Sequence, residues 1–199
     1  MEWYIILAQA LWIIFPAYVA NASAVLVGGG KPIDGGRMWK DGKRVLGDGK
    51  TWRGLFSGAF LGMTSGFAMS IGAYYINASE IDGLTVSTFL GFPLMIPLLF
   101  CLCFGALFGD ITESFFKRRL GKDRGEDWLI FDQLDFIVGA LLFSLLFSLI
   151  QQVVTGENWF FMNLNMWHLV VLLVLTPIFH LTANFILRVL RGQKQKAKT

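Results

Sequence analysis

Apolar residues in this chain gather into five long runs, near 3–27, 55–76, 92–108, 136–154 and 167–187. Between them lie stretches rich in charge, glycine or both. About 20 consecutive apolar residues in a helix cross the hydrocarbon core of a bilayer, so each run is a candidate transmembrane helix. The third is near the lower length limit, with Pro93 and Pro97 at its start. The first is too long and too aromatic for a cleaved signal peptide, and Glu2 stands where a basic flank belongs. The pattern predicts an all-α integral membrane protein: a bundle of five transmembrane helices forming one domain over 1–199. Two loops, 28–54 and 109–135, and a tail, 188–199, carry the polar residues.

Small residues mark how the helices pack. Gly54, Gly58, Gly62, Gly66 and Ser70 recur every four residues along the second run, and Gly105 and Gly109 repeat the spacing in the third. In lipid such a stripe lets a neighbouring helix come close and gain dispersion contacts. Bundle packing is the expected role.

Composition agrees with the hydropathy: 55% of the 199 residues are hydrophobic, which excludes an ordinary soluble domain. Charge then orients the bundle. All 17 Lys and Arg fall in three places, seven in 31–53, five in 117–124 and five from Arg188 onward. Five spans put those regions on one side, and short loops rich in Lys and Arg face the cytoplasm. The N-terminus is therefore expected outside and the C-terminus inside. Ten of the 14 acids share the basic side. Acids contribute little to topology, so their accumulation there needs another cause. Cys101 and Cys103, two apart within one span, are expected as reduced thiols.

That cause is sought in residues 109–135, GDITESFFKRRLGKDRGEDWLIFDQLD. In a helical continuation of the third span Asp110 and Glu113 share a face, and Asp132 and Asp135 do likewise at the start of the fourth. Four converging carboxylates repel one another unless a cation joins them. Oxygen ligands without Cys or His select Mg²⁺, Mn²⁺ or Ca²⁺ over zinc. Spacing alone equally allows interfacial acids salt-bridged to Lys117, Arg118 and Arg119.

The order Gly109-Asp110, Glu113-Ser114, Lys117-Arg118, Lys122-Asp123 and Asp132-Gln133-Leu134-Asp135 resembles the signature of the integral-membrane CDP-lipid synthases, the phosphatidate cytidylyltransferase family. Two departures point within it. Gln133 stands where the bacterial and eukaryotic pattern has Arg, and no His-Gly-Gly insert precedes the final acid pair. The short form resembles the archaeal branch, the CDP-archaeol synthases. The resemblance implies that the phosphate of an unsaturated isoprenoid ether lipid, 2,3-di-O-geranylgeranylglycerol 1-phosphate, attacks the α-phosphorus of CTP and releases pyrophosphate. It implies Mg²⁺ as cofactor, CTP, that lipid and the membrane as partners, and no nucleic acid.

The first inner loop, PIDGGRMWKDGKRVLGDGKTWRG, is similar to another block of the archaeal enzymes. Its Gly49-Lys50-Thr51 imitates a phosphate loop, but position 44 is Arg where a glycine is required, and no strand precedes it. A Gly-rich approach to a helix N-terminus with Lys50, Thr51 and Arg53 still favours anions.

The resemblance assigns Asp110, Asp132 and Asp135 to the metal, with Glu113 in support, and makes Asp110, Lys122, Asp132 and Asp135 the catalytic set. Lys117, Arg118 and Lys122 are candidates for the triphosphate, Ser114 for a phosphate oxygen or a packing role. Lys50, Thr51 and Arg53 would hold the lipid phosphate or the other end of the nucleotide. His168 and His180 are expected to be packing residues. The rival readings are a small ion or solute transporter, and a CDP-alcohol phosphotransferase. The transporter is disfavoured because the acids cluster on one side, and the phosphotransferase because Asp132 and Asp135 are three apart rather than four.

Overall fold

The computed structural model describes residues 2–122, 128 and 131–196. Its elements are α1 (Trp3–Val27), α2 (Trp52–Ala78), a 3₁₀ turn at Ile81–Gly83, α3 (Met95–Arg119), α4 (Phe131–Thr155), the short α5 (Trp159–Asn163) and α6 (Met166–Lys196). Helices α1 to α4 are each long and apolar enough to cross a membrane. At 1.5 Å per residue, 25 residues extend about 37 Å, more than the hydrocarbon core requires. Large apolar side chains such as Phe56, Phe60, Val153 and Val154 stand exposed on these helices. Such a surface belongs in lipid. The protein is thus an all-helical, multi-pass membrane protein. The expected fifth span lies along α6, whose apolar stretch among the described residues is Met166–Phe179. The side chains of His180 and of the tail lie outside the described residues.

On the polar side two helices extend beyond their apolar runs, and both extensions carry the acid pairs as the spacing requires. Helix α3 continues past the apolar bound at 108 to Arg119, so Asp110 and Glu113 lie on the helical continuation expected for them, and the loop that follows is shorter than 109–135. Helix α4 begins at Phe131, so Asp132 and Asp135 occupy its first turns. A helix leaving the membrane keeps its backbone bonds while its side chains change from apolar to charged, and hydropathy alone reads that change as an ending.

Helix packing follows the small residues. Gly54, Gly58, Gly62 and Gly66 are all buried, and α2 lays them against α1 and α3. A methyl at Gly58 would stand 2.6 Å from the Ala20 carbonyl oxygen; one at Gly62 would meet Pro16 O at 2.7 Å and Cys103 Sγ at 2.8 Å. Cys103 is fully buried here, and both cysteines are free thiols. Helix α1 is central and touches α2, α3, α4 and α6. Tyr18 and Thr176 share a 2.7 Å hydrogen bond that ties α1 to α6.

The end opposite the charged loops is closed by uncharged polar bonds. Gln9 donates to Thr85 O at 2.7 Å and Trp12 to Ser87 O at 2.9 Å. His168 is buried beside them: Nδ1 accepts from the Asn165 amide at 3.1 Å and Nε2 lies 3.1 Å from Gln9 Oε1. With Nδ1 accepting, Nε2 carries the proton and donates. The histidine is a structural strut.

Candidate active site

Three glycines bring the polar ends of α3 and α4 together. A methyl at Gly105 would stand 2.6 Å from the Gly139 carbonyl oxygen, and one at Gly109 would collide with the carbonyl oxygen of Asp135. Backbone-to-backbone approach of this kind needs small residues on both helices. It places Asp110, the next residue after Gly109, beside the turn that carries Asp135.

Each acid pair is then met by a lysine. Lys50 Nζ reaches Asp110 Oδ2 at 2.6 Å. Lys117, itself buried, reaches Asp132 Oδ2 at 2.7 Å and stands 3.8 Å from Glu113 Oε1. Asp132 Oδ2 also accepts the Trp128 amide at 3.0 Å, and Asp135 Oδ1 accepts from the Phe136 amide at 2.7 Å. Ser114 Oγ lies 3.4 Å from Glu113 Oε2. Two buried carboxyl oxygens, Glu113 Oε1 and Asp132 Oδ1, have no ordinary donor among the described residues, and the two carboxyl groups lie within hydrogen-bond reach of each other. Buried polar atoms are rarely left so, and each calls for a ligand or a proton.

The first inner loop folds around one acid that sequence reasoning missed. The Asp34 side chain is fully enclosed. Its Oδ1 accepts from Gly36 N at 3.0 Å and Arg44 Nη2 at 2.8 Å. Its Oδ2 accepts from Arg44 Nε at 3.2 Å and from the amides of Leu46 and Gly47, both at 3.0 Å. Burial by itself would raise this carboxyl; the Arg44 guanidinium and the three amides together outweigh it and hold the group well below the usual carboxylate range. The only signal in the sequence was Asp followed by Gly-Gly, a turn mark that names no distant partner.

Arg119 docks this loop onto α3. It pairs with Asp41 at 2.9 Å, donates to the Arg44 carbonyl, and lies over the rings of Trp39 and Phe115 at 5.8 and 5.0 Å. Arg118 donates to the carbonyls of Leu46 and Lys122. The neighbouring arginines thus face the loop backbone, and Arg118 does so from the wall of the site.

Loop, α3 and α4 enclose a cavity of about 610 Å³. It is lined by Lys50, Asp110, Glu113, Ser114, Lys117, Arg118, Lys122, Asp132 and Asp135, joined by Lys43, Arg44 and the 46–49 backbone turn. Nine of the expected site residues therefore converge. Thr51 and Arg53 do not line it. Thr51 is buried as the N-cap of α2, its Oγ1 accepting from Gly54 N at 3.1 Å and from Gly29 N at 3.2 Å. Arg53 is exposed. A hydroxyl occupied by two amides is capping a helix, as its place before α2 requires. Gln133, the departure from the bacterial pattern, is buried outside the cavity lining.

The cavity can take a polyanion and a hard cation. Its cationic groups are ammonium and guanidinium ends suited to phosphate. Its acidic groups are all carboxyls, hard oxygen donors that suit Mg²⁺ in donor chemistry. Among the described residues no three acids stand together as a ready-made ion cage. Lys50 and Lys117 instead neutralise the acids, so a cation and these ammonium groups compete for the same oxygens.

Comparison with known proteins places the site in context. Residues 3–194 match a family model described as CarS-like, CDP-archaeol synthase. Curated proteins named CDP-archaeol synthase are similar over most of both chains. The one from Methanospirillum hungatei is 47% identical, covering 87% of this chain and 93% of its own. That from Thermococcus onnurineus is 45% identical over 90% of each, and that from Methanosarcina acetivorans 44% identical over 87% and 94%. A solved structure described as an intramembrane enzyme for archaeal membrane lipids biosynthesis matches with a TM-score of 0.67. It is 33% identical and covers 90% of this chain and 94% of its own.

Proposed function

Since the chain belongs to the CDP-archaeol synthase family, we propose that its polar cavity is where CMP passes from CTP to the phosphate of 2,3-di-O-geranylgeranylglycerol 1-phosphate. The chain is a CTP-dependent cytidylyltransferase of archaeal membrane-lipid biosynthesis. Membership also sets aside the transporter and phosphotransferase readings. The observation that carries the site assignment is the convergence of Lys50, Lys117, Asp110, Asp132 and Asp135 on one cavity at the polar end of the bundle.

A lipid phosphate oxygen attacks the α-phosphorus of CTP, the bond from that phosphorus to the bridging oxygen breaks, and pyrophosphate leaves. The attacking monoester is already anionic, so no strong base is needed. The obstacle is the repulsion between two polyanions, and the remedy is fixed positive charge at the oxygens where negative charge grows. Lys117, Lys122 and Arg118 face the triphosphate, and Lys50 faces the point where the two substrates meet. On binding, Lys50 and Lys117 exchange carboxylate for phosphate partners and leave Asp110 and Asp132 with free oxygens. Those two acids, Asp135 and, in support, Glu113 would then hold Mg²⁺. Bound there, the ion would supply positive charge against the phosphates and the departing pyrophosphate.

The lipid approaches from the side. A recess of about 40 Å³, whose apolar lining includes Val25, Ile33, Leu55 and Leu107, ends at Lys50, Thr51 and Asp110. This supports an entry in which the prenyl chains stay in lipid while the phosphate reaches Lys50. We take α6 as the fifth span, with the N-terminus outside and the cavity on the cytoplasmic side. The support is the segregation of every Lys and Arg to one side of five apolar runs.

The test is direct. Purified protein with labelled CTP, Mg²⁺ and the isoprenoid ether-lipid phosphate forms labelled CDP-lipid with one pyrophosphate per product. Absence of product with an active-state lipid dispersion, or ion flux without nucleotide turnover, would reject the reading.

A further inference from the structure

We propose that Asp34 is a positioning residue for cytidylyl transfer, acting through Gly47 and Lys50 to aim the Lys50 ammonium into the cavity. The inference rests on the site assignment above, since Lys50 matters only if phosphate binds there.

Asp34 does not touch substrate. Its two oxygens already accept five hydrogen bonds and its side chain is fully enclosed. What it fixes is the backbone on which Lys50 is mounted. Gly47, whose amide donates to Asp34 at 3.0 Å, accepts in turn from the Lys50 amide at 3.4 Å. On the other side, the amide of Ile33, next to Asp34, donates to the Lys50 carbonyl at 2.8 Å. Lys50 is therefore held at both its backbone groups, by Gly47, which Asp34 bonds, and by Ile33, the residue before Asp34 in the chain. Gly47 has a φ of +99°, a conformation that L side chains rarely adopt. Asp34 thus holds the turn from within, while Arg118 and Arg119 hold the carbonyls of Leu46 and Arg44 from α3.

Asparagine keeps the shape of Asp34 but turns an acceptor into a donor facing amide and guanidinium donors. In Asp34→Asn the 44–50 turn loosens while the helices, which Asp34 does not contact through any of these bonds, stay folded. A merely structural acid would change only the melting temperature. A positioning acid also changes how much Lys50 is worth, which a double-mutant cycle reads.

Four proteins are compared by calorimetric binding of a non-hydrolysable CTP analogue with Mg²⁺: wild type, Asp34→Asn, Lys50→Met and the double variant. Asp34→Asn is expected to bind at least tenfold more weakly. Lys50→Met is expected to weaken binding markedly in the wild-type background and by less than threefold in the Asp34→Asn background. Hydrogen exchange should quicken over 31–50 and not in α1 to α4. Should Asp34→Asn not fold, Asp34→Glu, which keeps the charge and misplaces it by one methylene, carries the same cycle. Wild-type affinity in the folded Asp34 variant, or full additivity with Lys50→Met, overturns the proposal while leaving the site assignment standing. Failure of the wild-type protein to bind the analogue overturns both.

Discussion

Lys50 Nζ stands 2.6 Å from Asp110 Oδ2, joining the first inner loop to the third helix across sixty positions of sequence. Both side chains are about one-fifth exposed, so the pair sits at a cavity wall and not in bulk water. It lies where the apolar recess and the polar cavity meet, and the proposed function would give Lys50 a partner in each state: Asp110 before binding, phosphate after.

Replacing Lys50 by Met removes that phosphate partner and leaves Asp110 unpaired. Loss of one charge-stabilising donor in such a site lowers turnover by about 10²-fold. Initial rates of CDP-lipid formation at saturating CTP should show this fall, with the protein still inserted in the membrane. The same assay applied to Arg53→Met should show a change of less than about threefold, because Arg53 lies outside the cavity.

Gly139→Ala tests the helix crossing. Its methyl would meet the Gly109 amide nitrogen at 3.0 Å and strike the Gly105 carbonyl, with no flexible side chain to yield. Overpacking of this kind costs about 1–3 kcal/mol. It also parts Asp110 from Asp135, so activity should fall further than stability. Gly72→Ala is the control, since its methyl would stand 3.8 Å from Trp12 in ordinary contact. Thermal unfolding and activity measured on both variants separate the two outcomes.

Acid should loosen the first loop before it loosens the bundle. The Asp34 carboxyl is held below its unfolded value, so the unfolded loop binds more protons and stability rises with pH between the two values. The contribution is complete above about pH 4, the unfolded carboxylate value, and fades as pH falls towards the depressed one. Hydrogen exchange over 31–50 should therefore be insensitive to this group from pH 5 to 7, once corrected for intrinsic rates, and should accelerate below about pH 4. Asp34→Asn should lack that acid transition.

Much of this architecture was legible in the sequence because lipid imposes long apolar runs and keeps charge at the ends. The glycine stripe of α2 and the acid–base concentration of 109–135 were legible for the same reason: each violates what a merely lipid-facing segment needs. Gly139 was not, because a single glycine has no period and acts only against Gly105 and Gly109 on another helix. Asp34 escaped as well, and of Arg119 only an ion-pairing role was legible, not its hold on the loop. Each binds backbone groups of the loop, and the loop's course is not encoded in residue type. Thr51 carries a role that its neighbour Lys50 conceals: its place before α2 makes it a cap, at the recess beside Lys50.

Chelation should stop turnover. Excess EDTA is expected to abolish CDP-lipid formation, and added Mg²⁺ or Mn²⁺ to restore it, since the available donors are carboxylate oxygens. Mn²⁺ binding followed by paramagnetic resonance should tighten when the CTP analogue is present. In the proposed mechanism nucleotide would draw Lys50 and Lys117 away from Asp110 and Asp132, freeing those oxygens for the ion.

The central claim is that Asp132 and Asp135 make the cavity a site for nucleotidyl transfer. Asp132→Asn and Asp135→Asn, each assayed for labelled CDP-lipid from CTP, Mg²⁺ and the isoprenoid ether-lipid phosphate, test it most directly. The account predicts loss of at least 10³-fold in both, with the proteins inserted and thermally stable. Wild-type rates in either variant would contradict it.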